Sequence, residues 1–283
     1  VVFKKISRRK FLKWSLLGAF LMPPATLAYA HLLEPNWVDI ERVTLRLPRL
    51  HPAFGGYRIV HLSDIHLDSW LGIDRLREIV TTVNTLQPDL VVITGDYVTA
   101  TLQPYYADYV KGLRQLSAWD DVVGVLGNHD HWMDAQAIRQ LLRDSQVRNI
   151  SNDVLTLRRG EAQLHIAGVD DVWEQQHRLE LVLEKLPEDG AAILLAHEPD
   201  FADESAATGR FDLQLSGHTH GGQVHLPFFG PPVLPHLGYK YPRGLYRVGS
   251  MLQYTTRGVG MIPPTIRINC RPKITLLTLQ TLA

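Results

Sequence analysis

Leu90-Val91-Val92-Ile93-Thr94-Gly95-Asp96 is the stretch that decides the fold. Four consecutive apolar residues are too few for a buried helix and show no alternation. That leaves a strand covered on both faces, the usual state of a strand in a parallel sheet. Gly95 lets the backbone turn sharply where the strand ends, and Asp96 follows as a carboxylate at the sheet's edge. Outward from this stretch the same grammar repeats. Tyr57 to Leu62 runs into Ser63-Asp64-Ile65-His66, and Val122 to Leu126 into Gly127-Asn128-His129-Asp130. Ala191 to Ala196 leads to His197-Glu198, and Leu213-Gln214-Leu215-Ser216 to Gly217-His218-Thr219-His220-Gly221-Gly222. Between strands, Ile73, Leu76, Ile79, Val80, Val83 and Leu86 recur at helical spacing until Pro88 stops them, and a second helical stretch covers Tyr105 to Leu116. Such alternation builds βαβ units, whose ligands gather beyond the carboxyl ends of the strands.

Elsewhere the pattern is β-rich. Val43 to Leu47 alternates as a half-buried strand does, and Val154 to Leu157 with Gln163 to Ala167 flank Arg159-Gly160 as a hairpin, so the sheets are not purely parallel. Past the last cluster come short strands without helices, at Gln223 to Leu226, Leu245 to Val248, Leu252 to Thr256, Thr265 to Ile268 and Ile274 to Leu279. A sheet-rich second half packed on a βαβ first half predicts an α/β sandwich of two mixed sheets with helices outside. Residues 31–283 read as one domain, because no linker, repeat or low-complexity tract divides them.

Five segments thus bring Asp, His and Asn side chains to one sheet edge. The set is oxygen and nitrogen without thiolate, and the one cysteine, Cys270, lies apart from it. These donors suit Mn, Fe or Zn better than Ca or Mg, with Mn the first choice. Two ions held about 3.5–4 Å apart could clamp the attacking and leaving oxygens of a phosphoryl displacement. That arrangement needs a bridging carboxylate, and Asp96 is the natural one.

The ordered series Asp-x-His, Gly-Asp, Gly-Asn-His-Asp, His, Gly-His-x-His resembles the calcineurin-like metallophosphoesterase superfamily from about Arg58 to Gln223. The strings Leu62 to His66 and Gly217 to Gln223 look like its bacterial envelope branch. The resemblance implies a four-layer αββα fold. It also implies one metal held by Asp64, His66, Asp96 and His220, a second by Asp96, Asn128, His197 and His218, and a metal-bridged hydroxide that attacks phosphorus. His129 would stand by the leaving oxygen as general acid. Asp130 would either orient His129 or cap the helix Met133 to Arg143. In extended segments Asp64 with His66, and His218 with His220, would project to the same side.

Two divalent ions bring four positive charges against three from Asp64, Asp96 and the hydroxide, which leaves about one for the substrate to balance. A singly charged phosphodiester does so, and a pyrophosphate bond is the neighbouring option. The same resemblance implies the alternative enzyme, a hydrolase of UDP-2,3-diacylglucosamine in lipid A synthesis. A metal-stabilised envelope binding protein without turnover is the alternative outside enzymes, and the filled ligand positions argue against it. Leu226 to Tyr241, with Pro227, Pro231, Pro232, Pro235, Phe228, Phe229 and Leu234, reads either as a packed loop or as an apolar lip for a lipid-linked substrate. His225 is a candidate substrate contact. His31, His51, His61, His131, His165, His177 and His236 lack ligand spacing and read as structural or surface. Trp173 and Asp170-Asp171 receive no role.

Lysine plus arginine equals aspartate plus glutamate at 29 each, so no global field points to nucleic acid. At 45% hydrophobic and 20% charged the chain is ordinary for a globular protein. Lys4, Lys5, Arg8, Arg9, Lys10 and Lys13 precede an apolar stretch from Trp14 to Ala30 that closes on Ala28-Tyr29-Ala30, a small-x-small cleavage pattern. Ser7 to Lys13 resembles a twin-arginine signal, whose machinery exports folded proteins. Residues 1–30 are therefore expected to be a signal peptide or a membrane-touching anchor, and the protein to be exported to the periplasm or the outer face of the cytoplasmic membrane.

Overall fold

The computed structural model describes residues 24–282 apart from 69, 100 and 104, so the basic part of the leader lies outside the described residues. Among these, no helix is long and apolar enough to cross a membrane. The strands are β1 (Asp39–Leu47), β2 (Arg58–Leu62), β3 (Leu90–Thr94), β4 (Asp121–Val125), β5 (Arg148–Asn149), β6 (Asp153–Arg159), β7 (Ala162–Gly168), β8 (Ala191–Leu195), β9 (Leu213–Ser216), β10 (Gly244–Val248), β11 (Met251–Thr255) and β12 (Lys273–Thr281). The helices are α1 (Ile73–Thr85), α2 (Tyr106–Leu113), α3 (Asn128–Asp144), α4 (Leu179–Lys185) and α5 (Ala202–Ala207). Two six-stranded mixed sheets result, ordered β1-β12-β2-β3-β4-β5 and β10-β11-β9-β8-β7-β6.

The unbroken apolar runs have the predicted cause. Leu90 and Val92 of β3 face the inter-sheet core with Ile193 and Leu195 of β8, while Val91 and Ile93 turn to the layer of α1, α2 and α3. Ala192 and Leu194 of β8 pack outward with Leu179 and Val182 of α4 and with Ala202 of α5. Alternate residues of one strand thus bury against a sheet on one side and helices on the other, which makes four layers, helix, sheet, sheet, helix. The αββα expectation holds.

Three details differ from the sequence reading. The final strand, β12, does not join the second half. It lies between β1 and β2, parallel to β1 and antiparallel to β2. Gln223 to Leu226 and Thr265 to Ile268 form no strands and keep only isolated bridges, Val224 to Ile268 and Leu226 to Gly230. Prolines at 227, 263 and 264 remove donors a ladder would need there. Helix α3 begins at Asn128 rather than Met133 and breaks at Asp134, whose carboxylate accepts from Gln136 N (2.9 Å) and Ala137 N (3.1 Å) to cap the second part.

Candidate metal centre

The parallel pairing of β2 with β3 continues past both strands. Asp64 N donates to Gly95 O (3.0 Å), His66 N to Asp96 O (3.0 Å) and Leu67 N to Tyr97 O (2.9 Å). In the second sheet Ala196 N donates to Leu215 O (3.1 Å) and Gly217 N to His197 O (3.0 Å). Each ligand loop is therefore laced to its neighbour. The loops are not extended, which corrects the expected reason for paired side chains. Asp64, His66, Asp96, His218 and His220 all have positive φ, at 52°, 47°, 56°, 71° and 50°. Such backbone costs of order 1–2 kcal/mol per residue and survives where the surroundings over-determine it. The alternation of left-handed with ordinary residues brings both members of each pair to the same place.

Two glycines are there for closeness rather than turning. A Cβ on Gly217 would stand 1.8 Å from Ser63 Oγ and 2.4 Å from Asp64 Oδ2. One on Gly127, whose φ is −117°, would stand 2.4 Å from Asp96 Oδ1. Glycine permits the ligand-bearing chains to touch.

All seven expected ligand side chains are buried. The donor atoms of six of them fall into adjoining groups, Asp64 with His66 and His220, and Asp96 with His197 and His218, and His129 joins His66 and Asp96 in a third. Asp96 Oδ2 sits between them, 3.4 Å from His66 Nε2 and 3.2 Å from His197 Nε2, while His220 Nε2 lies 3.4 Å from Asp64 Oδ1. Asp64 itself accepts from His218 N at 3.0 Å. His197 Nδ1 donates to Thr94 O (2.6 Å) and His218 Nε2 to His236 O (2.7 Å), which fixes the nitrogen each can offer. Asn128 Oδ1 and His197 Nε2 are buried without a partner. A buried lone pair left so costs about 1–3 kcal/mol, and a cation would satisfy both.

The electrostatics agree. Burial pushes the imidazolium forms of His66 and His218 down to about 3 and about 4, and that of His220 well below its ordinary value. These rings are neutral, the state a metal requires. Burial pushes the Asp64 carboxyl up to about 6, against the pull of His197. Burial acts likewise on Asp96, but His197, His66 and His129 reverse it and hold that carboxyl below the usual range. His197, penalised by burial, is nevertheless raised by Asp96 and Asp64. Two desolvated carboxylates thus face the neutral rings of His66, His218 and His220 and draw His197 toward its charged form, a donor set that could hold divalent cations.

His129 and Asp130 divide differently from one expectation. His129 Nδ1 donates to Thr99 O (2.9 Å), not to Asp130. Asp130 instead accepts from Tyr97 N, Asp96 N and Gly127 N, each at 2.9 Å, so it caps α3 and clamps the Asp96 loop. Burial and Asp96 push its carboxyl up to about 8. His61 and His165 are structural, on Thr94 Oγ1 (2.9 Å) and Asp189 O (2.8 Å). His225 is partly buried, with its backbone N donating to Ile268 O (2.8 Å).

Sequence reasoning missed several neighbours. Trp132, half exposed, lies tilted against His129 with ring centroids 4.8 Å apart and edge-to-face with Trp173 at 5.3 Å, and Trp173 in turn meets His218 (5.6 Å) and His236 (5.4 Å) edge-on. An aromatic wall therefore borders one side of the centre. Glu198 holds it by accepting from Val172 N (3.2 Å) and Trp173 N (3.1 Å). Burial and Glu198 push the Asp171 carboxyl up to about 10. Arg267, fully buried, donates to the carbonyls of Cys270 (2.8 Å), Arg257 (2.8 Å) and Gly260 (2.7 Å), binding the loop behind Asp64. A glycine-rich spacing could have flagged that loop; nothing local flags the arginine.

Residues 57–222 match the calcineurin-like phosphoesterase family. The chain belongs to this family. It is 36% identical to the uncharacterized metallophosphoesterase YkuE of Bacillus subtilis, over 98% of this chain and 99% of that protein. It is 30% identical to the phosphodiesterase YaeI of Escherichia coli K12, over 97% and 99%. The solved structure of TT1561 of Thermus thermophilus aligns with a TM-score of 0.47 at 14% identity, covering 72% of this chain and 90% of that one. The centre just described lies within the matched span of this calcineurin-like phosphoesterase, at the carboxyl ends of β2, β3, β4, β8 and β9. A cleft of about 520 Å³ by Arg58, Pro88 and Trp119 lies at the opposite, amino ends of β2 to β4 and has no part in the centre.

Proposed function

We propose that this calcineurin-like phosphoesterase is a binuclear phosphodiesterase that hydrolyses a phosphodiester or pyrophosphate bond, with Mn, Fe or Zn as its metals. The observation that carries this is Asp96 Oδ2, set between His66 Nε2 and His197 Nε2 at 3.4 and 3.2 Å, where one carboxylate can serve both groups. Asp64, His66, Asp96 and His220 would hold one ion, and Asp96, Asn128, His197 and His218 the other. When bound, the ions supply Lewis acidity and activation of water. The protein's own residues do the rest. Asn128 contributes a neutral oxygen, which limits the negative charge at the centre and favours a singly charged diester. Thr99 O, by accepting from His129 Nδ1, leaves Nε2 as the ring nitrogen that would deliver a proton to the leaving oxygen. Trp132 and Trp173 keep water from that side. The name of the E. coli relative supports the diester reading.

The test is metal content and diester turnover together. Wild type loaded with Mn should hydrolyse bis(4-nitrophenyl) phosphate. After dialysis Asp96→Asn should lose both ions, since it removes the shared carboxylate charge, whereas Asp64→Asn should lose chiefly one. Equal loss of a single ion in both variants contradicts the shared role, and a metal-replete wild type inert to diesters and pyrophosphates contradicts the activity.

A further inference from the structure

A chamber of about 280 Å³ opens directly beside the centre, bounded by the His218 to Val224 segment, by residues 232–235 and by residues 262–266. Besides the two histidines, none of its lining residues has an ionisable side chain. Its polar side chains are already engaged. Thr219 Oγ1 donates to Pro242 O (2.6 Å) and accepts from Gly221 N (3.1 Å). Gln223 Nε2 donates to Ile262 O (3.0 Å) and Pro264 O (3.1 Å), and its Oε1 accepts from Ile262 N (2.8 Å). The Gln223 bonds tie the His218 to Val224 segment to residues 262–264, and valine, leucine, isoleucine and proline carbon faces the interior. A sugar, base or second phosphate entering here would surrender hydrogen bonds to water and regain none. Hydrocarbon would lose nothing.

The rim has the same character. Val233 on one wall is exposed, as are Phe228 and Phe229 at the turn just before it, where Gly230 N donates to Leu226 O (2.9 Å). The other wall holds the segment Tyr29–Leu33, since Arg267 N donates to Ala30 O (2.9 Å) and the His31 ring meets Thr265 O (2.8 Å). Leu27, Leu32 and Leu33 beside those contacts are exposed. Both walls thus carry large apolar groups into solvent next to an apolar interior that is continuous with the metal ligands.

We propose that this chamber binds the acyl chain of a membrane phosphodiester lipid, drawn in from the bilayer past Phe228, Phe229 and Leu32 so that the phosphate reaches His218 and His220. The proposal rests on the diesterase reading and names its substrate class. It also moves the apolar site expected from the sequence. Of Phe228, Phe229 and Leu234, only Leu234 lines the chamber, and the two phenylalanines stand outside it.

The experiment uses the full, metal-loaded chain and 4-nitrophenyl alkyl phosphates from ethyl to decyl, with bis(4-nitrophenyl) phosphate as the small diester. In wild type kcat/KM should climb with chain length, at most about fourfold per methylene buried, and then level off when the chamber is full. Ile262→Asp should flatten the climb and leave the small diester unaffected. Should that variant lose the small diester too, Leu234→Phe decides, because an added ring must bring the plateau to a shorter chain. An unmoved plateau overturns the chamber. A flat wild-type series with normal turnover of the small diester overturns the lipid class and spares the diesterase, whereas a protein inert to every diester overturns the diesterase itself. With the decyl ester in phosphatidylcholine vesicles, the Phe228→Ser, Phe229→Ser double variant should be slowed relative to wild type but match it on dissolved esters. Equal rates in vesicles remove the bilayer as source.

Discussion

His129 Nδ1 is engaged by a backbone carbonyl, and that single bond decides which nitrogen can work. With Nδ1 donating, only Nε2 remains to pass a proton, and it does so toward a leaving oxygen or not at all. His129→Ala should therefore retain both metals yet lower kcat by roughly 10²–10⁴-fold for alkoxide leaving groups, the usual size of such a contribution. The loss should be much smaller for 4-nitrophenolate, which departs without a proton. Equal losses across leaving groups would mean that the ring positions substrate and transfers nothing. That His129 and the seven candidate donors would gather at one place was legible because each follows an apolar run, and a polar group placed there can face only the sheet's edge. The partner of each ring was not legible. Asp130 stands next to His129 in sequence, but helical geometry sends its carboxylate back to the amides of Gly127, Asp96 and Tyr97.

At the scale of elements, α3 carries Asn128 and His129 on its first turn, and its position depends on Asp170 from the loop after β7. Asp170 accepts from His131 Nε2 (2.8 Å) and Arg139 Nη2 (2.6 Å) with its side chain 5% exposed. Burial pushes its carboxyl up, but the bond from His131, the amide of Asp171 and the charge of Arg139 together hold it below the ordinary value. A depressed carboxyl stabilises the fold at any pH above its unfolded value of about 3.9 and loses that contribution as pH falls through the folded one. Asp170→Asn should accordingly lower stability at neutral pH by about 1–3 kcal/mol. The gap from wild type should close as pH falls below about 4, read as the difference in Tm with chelator present so that metal loss does not enter. A gap that is the same at both ends of the pH range would assign the effect to shape rather than charge. Strands buried on both faces and the long helix α1 were readable from periodicity. Helices α4 and α5, the two-residue β5 and the break at Asp134 were not, because one or two turns carry too little pattern, and the break depends on a side-chain cap.

For the whole molecule, chain order and spatial order part company at β12, which inserts between β1 and β2 and so joins the two ends of the chain in one sheet. Local pattern marks β12 as a strand but holds no record of its neighbours, which is why the sequence assigned it to the wrong sheet. The same closure seats the amino-terminal segment. Tyr29–Leu33 is helical, Ala30 is buried with its carbonyl accepting from Arg267 N, and Cys270 N donates to the buried carboxylate of Glu34. Arg75 of α1 adds bonds to Pro35 O and Asn36 Oδ1. A peptidase needs an extended, accessible chain, and a docked segment offers one only by local unfolding. If the twin-arginine pathway exports this protein already folded, the Ala28-Tyr29-Ala30 pattern arrives helical and held. The bond after Ala30 should then survive, and the apolar stretch before it should remain as an anchor with the chamber's exposed rim beside it. Intact mass of the exported protein should include residues before His31, and the activity should sediment with membranes. Loosening the dock with Glu34→Ala should make the bond after Ala30 cleavable. A soluble wild-type product that begins at His31 would show that processing precedes docking, and would leave Leu32, Leu33, Phe228 and Phe229 as the exposed apolar groups at the chamber's rim.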